Sequence, residues 1–325
     1  MLNKLFTVAK NTFTETLRQP IYGVILAFAL FLFILSPSIT MYSLDEDIKL
    51  LREIGLSTLF ITGLFIAIFS AASAVTEEIE SKTITTVLSK PIGRPTFIIG
   101  KFIGVTVAVS LAHYICTIAY LMIVRHGVLE TASDTHDWPV ISIAIVSIVA
   151  AFLITAFLNY SYDWNFPSTA VITIAIFGTA GLIILSLFDK EWHFNPGDNH
   201  IEIFDINAAV LLLLAVTILV ALAVMFSTRL NVVLTLTFCV GAFLMGLISD
   251  FVFARKATVE GGDHLWAKIG EIVTPNLQVF WISDAIYEGS TIPPIYIVHS
   301  AVYTFFYAGA ILLLAIALFQ KRQVG

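Results

Sequence analysis

The sequence predicts an all-α fold: a polytopic membrane helix bundle of about eight transmembrane helices. Three observations carry that prediction. Of 325 residues, 58% are hydrophobic and only 12% charged, against about 25% charged in an ordinary soluble domain. Several apolar runs reach the ~20 residues needed to cross a hydrocarbon layer ~30 Å thick. Most of these runs lack the polar stripe that a helix on the surface of a soluble core carries.

Leu2, Leu5, Phe6, Ala9, Phe13 and Leu17 recur at helical spacing, with Lys4, Asn11, Thr14, Glu15 and Arg18 on the other face. Residues 1–19 are therefore expected to form an amphipathic helix in the headgroup plane. Leu5, Phe6, Phe13 and Leu17 would dip toward the acyl chains, with Arg18 on the polar side. No charged tip leads into a short apolar core with a small-residue cleavage site, so this stretch is not read as a signal peptide. Pro20 ends the helix or opens the first span.

Eight spans are expected at about 21–41, 55–75, 97–124, 139–159, 168–188, 207–227, 231–253 and 296–319. Pro37 should kink or terminate the first. Turns as short as Thr228-Arg229-Leu230-Asn231 imply tight antiparallel hairpins. Residues 254–295 hold apolar pieces too short to cross, such as Leu265-Trp266 and Leu277 to Trp281, broken at Thr274-Pro275-Asn276. They read as short helices or a re-entrant pair at the outer interface. No linker interrupts the chain, so 1–325 reads as a single membrane domain.

With the amino terminus inside, Lys and Arg divide ten to seven in favour of the inner side. That asymmetry places both termini in the cytoplasm. Cys116 and Cys239 lie in apolar runs and read as small buried apolar residues. Without a CxxC, and with scattered His, no metal site or disulfide framework is expected. His113, inside the third span, is either a functional polar group or a side chain hydrogen-bonded to a neighbouring helix, and the second reading is favoured.

The most informative stretch is Glu77 to Gly104, a polar segment of mixed charge between two apolar runs. Hydrocarbon cannot hold so many charges, so its first part must lie in water beside the bilayer. Glu77, Glu78 and Glu80 leave the second span. Ile84, Val87 and Leu88 form an apolar ridge at i, i+3, i+4 on a short helix that Pro91 ends. Such a ridge, flanked by charge, suits docking into a groove on a partner.

Glu77, Glu78, Glu80, Thr83, Leu88, Pro91, Arg94, Gly100 and Lys101 together resemble a pattern in the permease subunits of ABC-2 type transporters. The amphipathic start with Arg18 and Pro20 resembles that family too, as do the Phe226-Ser227-Thr228 turn and Pro275-Asn276-Leu277 with Phe280. So does the end, Leu318-Phe319-Gln320-Lys321-Arg322. The family commonly has six spans, and the surplus here is most simply the hairpin 139–188.

The resemblance implies a permease moving an unidentified substrate, by export, with residues 76–96 as a cytoplasmic coupling segment. No GxxxxGK[ST] loop occurs, since Pro95 stands where the first Gly would be and Phe102 replaces the hydroxyl. No cofactor is expected on this chain; ATP and Mg²⁺ would be bound by a separate nucleotide-binding ATPase subunit. A second permease copy or paralogue and the lipid bilayer complete the expected partners, with no nucleic acid. The implied location is a bacterial inner membrane. The alternatives are a membrane-embedded lipid-modifying enzyme, or a non-transporting scaffold coupled to an ATPase.

Overall fold

The computed structural model describes residues 2–40, 47–77, 93–129, 135–196, 201–254, 265–282 and 291–320. Ten helices follow one another there. They are α1 (Leu2–Arg18), α2 (Pro20–Thr40), α3 (Asp47–Ala71), α4 (Arg94–His126), α5 (Trp138–Tyr162), α6 (Phe166–Leu185), α7 (Ile203–Ser227), α8 (Val232–Ser249), α9 (Leu265–Val273) and α10 (Pro294–Gln320). The wider π-turns Ala72–Glu77 and Asp250–Ala254 extend α3 and α8, and a 3₁₀ turn spans Gln278–Phe280.

Among the described residues eight helices are long and apolar enough to cross a membrane: α2 to α8 and α10. Their ends fall close to the expected spans, except that α3 starts at Asp47, well before residue 55. Its charged first turns are tolerated because Arg52 finds partners on α7, described below.

Pro37 neither breaks nor ends α2, which continues to Thr40. Proline removes the N–H that would reach the carbonyl four residues back. Here that carbonyl, on Phe33, accepts instead from the Ser36 hydroxyl at 2.8 Å. The last turn is closed by the Thr40 hydroxyl, which donates to the Ser36 carbonyl at 3.2 Å. A neighbouring Ser or Thr can supply what proline takes away inside hydrocarbon.

The chain falls into two compact units. The first holds Met1–Thr16, Leu64–Val107 and Val210–Gly325; the second holds Leu17–Gly63 and Ala108–Ala209.

In the first unit α1 lies directly on α4. A Cβ on Gly104 would stand 2.5 Å from the Ala9 carbonyl oxygen, and one on Gly100 would stand 2.7 Å from Val8. The two glycines, four residues apart, let the backbones touch. The face α1 buries is therefore its small one: Ala9, Thr12 and Thr16 are all buried. Leu17 is buried as well, Leu5 and Phe13 are half-buried, and Leu2 and Phe6 stay 79% and 70% exposed. The buried face is rotated from the Leu/Phe stripe toward the threonines, with Val8 over Gly100 and Ala9 and Thr12 over Gly104.

The segment after α8 packs against α10 through three tyrosines. Tyr307 donates to the Val273 carbonyl at 2.6 Å and Tyr296 to the Val279 carbonyl at 2.5 Å. Between them the Tyr303 oxygen accepts from the Asn276 N–H at 3.0 Å. Leu277 donates its N–H to the Gly246 carbonyl at 3.0 Å, and a Cβ on Gly246 would stand 2.7 Å from the Leu277 side chain. Residues 274–277 are non-helical, and such backbone survives beside a span only if its polar groups are met by protein. The N–H groups of Thr274, Asn276 and Leu277 are met by the Gly270 carbonyl, the Tyr303 oxygen and the Gly246 carbonyl.

In the second unit Arg125 ties three helix ends together. Its Nε lies 3.2 Å from the Asp137 carboxylate, its Nη2 donates to the Phe188 carbonyl at 2.9 Å, and its Nη1 donates to the Leu185 carbonyl. Asp137 caps α5, accepting from the Val140 N–H at 3.1 Å. Both side chains of the pair are essentially unexposed. The α5–α6 hairpin is closed by Gly181, whose Cβ would meet Ile143 and Ser147 at 2.8 Å. A Thr155–Thr173 hydroxyl pair at 2.8 Å links the same two helices.

A second buried cluster joins α3, α4 and α7. Arg52 reaches Glu202 at 2.5 Å and Asp205 at 3.2 Å, and Tyr120 donates to Asp205 at 2.6 Å. A Cβ on Gly55 would fall 2.5 Å from the Tyr120 ring, so that glycine admits the ring against α3. Asp205, Asp137 and Arg125 are buried at the ends of their helices. Each is buried with a charged partner, which is how a buried ion is tolerated. His113 is also buried, its Nε2 2.9 Å from the Ala209 carbonyl of α7, which is the neighbouring-helix reading.

Candidate functional site

The stretch between α3 and α4 is held at both ends within the first unit. On the α3 side, Thr76 sits in the π-turn Ala72–Glu77 and is buried. Its hydroxyl faces the carbonyls of Ser227 and Leu230 at 3.3 and 3.4 Å. Those carbonyls belong to the α7–α8 turn, where Asn231 caps α8 by accepting from the Leu234 N–H at 2.9 Å.

On the α4 side, Arg94 opens the helix and reaches the end of α10. Its guanidinium donates to the Gln320 carbonyl and to the Phe319 carbonyl at 3.5 Å, and lies 5.8 Å over the Phe319 ring. Arg229, from the α7–α8 turn, donates to the neighbouring Leu318 carbonyl at 2.5 Å. The last carbonyls of a helix lack intrahelical donors and carry the negative end of its dipole, so two guanidinium groups satisfy them well.

One turn further along α4, Phe97 stacks on Phe319 with centroids 5.7 Å apart. Lys101 is buried, with Nζ 5.6 Å over the Phe97 ring and 3.8 Å from Glu15 on α1. Arg94, Phe97 and Lys101, at i, i+3 and i+7, thus form one face that meets both α10 and α1.

Of the expected coupling residues, Glu78, Glu80, Thr83, Ile84, Val87, Leu88 and Pro91 lie outside the described residues. Glu77 closes the π-turn of α3. Arg94, Gly100 and Lys101 are described, and all three make contacts inside the chain. Sequence reasoning missed Thr76, Arg229 and the receiving carbonyls of α10. A signal did exist: the Arg94 to Lys101 stretch, the Phe226-Ser227-Thr228 turn and the Leu318-Phe319-Gln320 end were each singled out separately. The structure brings the three together.

No group of three or more His, Cys, Asp or Glu able to hold a metal occurs among the described residues. His193 lies 3.7 Å from Asp189 and from Glu191 in the exposed loop after α6. Asp189 itself organises that loop, accepting from the N–H groups of Glu191 and His193 at 2.9 Å. The His193 N–H, foremost, holds the Asp189 carboxyl below its ordinary value.

Comparison with protein families gives a match over the first part of the chain. The model of the ABC-2 family transporter protein covers residues 6–188, more than half of the 325 residues. The chain belongs to the ABC-2 transporter family. It is an integral, multi-pass membrane protein and a permease of an ABC transporter. None of the curated proteins matches it. The ABC-2 match takes in α1 through α6, and so includes the α5–α6 hairpin that had looked surplus to a six-span plan. It stops before α7 and α8.

Proposed function

We propose that this ABC-2 permease carries an unidentified substrate outward, across a bacterial inner membrane, on energy from a separate ATPase subunit. Residues 76–96 are the element the ATPase grips, with both chain termini on the cytoplasmic side. The ATPase binds ATP and Mg²⁺, and a second permease copy or paralogue completes the membrane part.

The observation that supports this reading is the anchoring of both ends of that element. At one end Thr76 is tied to the α7–α8 turn; at the other Arg94 is tied to the end of α10. A loop hinged freely at its ends would absorb a push from a partner. One whose roots are bonded to the α7–α8 turn and to α10 passes displacement to those elements, the kind of two-state rearrangement that alternating access requires.

The test is affinity purification of the chain from its native membrane in mild detergent. An ABC-type ATPase should co-purify, and its ATP turnover should change on reconstitution with the permease. Repeated recovery of the permease without any ATPase contradicts the proposal.

A further inference from the structure

The second unit contains a cavity of ≈ 530 Å³ among α2, α4, α5 and α6, within the ~300–1,000 Å³ usual for small-molecule sites. On α4 its lining runs from Ile115 to His126, and on α5 from Val140 to Ile148. At the helical rise of 1.5 Å per residue the α4 stretch is ~16 Å long. That is about half of a hydrocarbon core ~30 Å thick. The cavity is one leaflet deep.

Its polarity is graded along that length. The walls between α4, α5 and α6 are aliphatic apart from Ser147, whose hydroxyl already donates to the Phe177 carbonyl at 3.2 Å. Near the end of α4 and the start of α5 the lining turns polar, with His126 and His136. These two imidazoles have centroids 5.7 Å apart, and His136 lies 5.9 Å from the Trp138 ring. Trp138 is the first residue of α5 and 62% exposed; a tryptophan in that position marks the boundary between hydrocarbon and headgroups.

We propose that this cavity holds one acyl chain of a membrane phospholipid, with the phosphate at His126 and His136. Three features select that occupant. The depth is that of one leaflet, the walls are apolar apart from Ser38 of α2 and Ser147, and the two imidazoles stand where a headgroup would lie. A peptide backbone laid against these walls would leave its amides unsatisfied, at several kcal/mol each. The site is separate from the coupling element and does not depend on what the permease carries.

The test is photocross-linking in vesicles of phosphatidylethanolamine and phosphatidylglycerol, with a diazirine on the acyl chain of a phosphatidylglycerol probe. Adducts should map to α4 and α5 peptides around Met122 and Ala144. Their yield should exceed that at Phe305 and Phe306 of α10, which are 74% and 69% exposed. The expected excess is about five-fold, a modest ratio because the competing site is also hydrocarbon. Gly178→Leu should abolish the excess by filling the cavity. A Cβ there meets Ile118 no closer than 3.5 Å, ordinary contact, so the variant should fold. Ala144→Phe, another lining position, is the second variant. His126→Ala combined with His136→Ala should lower labelling by the phosphatidylglycerol probe but not by a diazirine fatty alcohol. Equal labelling of the cavity and α10 peptides would make this an ordinary lipid-facing surface and overturn the proposal. Adducts between these peptides and a second copy of the chain would overturn it too, by making the face a subunit interface. Equal loss or equal retention of both probes in the histidine variant removes the phosphate from the assignment.

Discussion

The Arg94 guanidinium lies 5.8 Å over the ring of Phe319, a residue 225 positions away in the chain, and donates to its carbonyl. The α4 end of the coupling segment is thereby fastened to the last turn of the last span. Arg94→Ala should lower stability by about 1–2 kcal/mol, through lost charge-assisted hydrogen bonds and helix-end capping. Arg94→Glu should cost more, since a carboxylate would face bare carbonyls. Thermal unfolding in detergent reads both. A lost ATPase in Arg94→Glu is therefore no clean sign of a broken motor contact; Leu88→Asp, on the ridge itself, is the cleaner variant and should weaken ATPase binding while insertion is retained.

Gly104 places α1 against α4 with no room for a side chain. Gly104→Leu should lift α1 away, at roughly 1–3 kcal/mol for the overpacked contact. A cysteine at Thr16, buried in the wild type, should then react with a water-soluble maleimide. Unchanged protection of Thr16→Cys in the Gly104→Leu background would mean that α1 is held elsewhere.

The Arg125–Asp137 pair is buried on both sides. Removing one partner leaves an uncompensated charge, so Asp137→Ala should destabilise by about 3–5 kcal/mol and also strip the cap from α5. Asp137→Asn keeps an oxygen for the Val140 N–H and should cost less. Removing both charges, with Arg125→Met and Asp137→Asn, should cost less than the sum of the single changes. Unfolding midpoints of the four proteins form the required cycle.

Much of the fold could be read from the sequence, because a span needs only length and apolarity to announce itself. Each of the eight appears within a few residues of its expected place, apart from the start of α3. The exceptions share a cause. The second span was expected to start at residue 55, but α3 already includes Arg52, which meets Asp205 on α7 and Glu202 just before it. Pro37 looked like a breaker, and Ser36 repairs it. The threonine face of α1 was hidden because the glycines that select it lie ninety-odd residues later on α4. For the candidate site the pattern was the same: Arg94 and the end of the chain each stood out, but their contact is a pairing between distant positions that no local spacing encodes.

Tyr307, in mid-helix, donates to the Val273 carbonyl at the end of α9. Tyr307→Phe should cost about 0.5–1.5 kcal/mol by removing that hydrogen bond, and should loosen residues 265–282. Hydrogen exchange at Val273 to Phe280 should quicken, while α5 and α6 remain unchanged. Uniform quickening would instead indicate global destabilisation.

The transmission role of residues 76–96 is tested most directly by a photocross-linker placed at position 88, in cells that also make the ATPase. If this element is gripped on the cytoplasmic side, the adduct will be with the ATPase, and its yield will change when ATP hydrolysis is blocked by vanadate. Adducts confined to lipid or to proteins outside the cytoplasm, with the ATPase present and unlabelled, would contradict it.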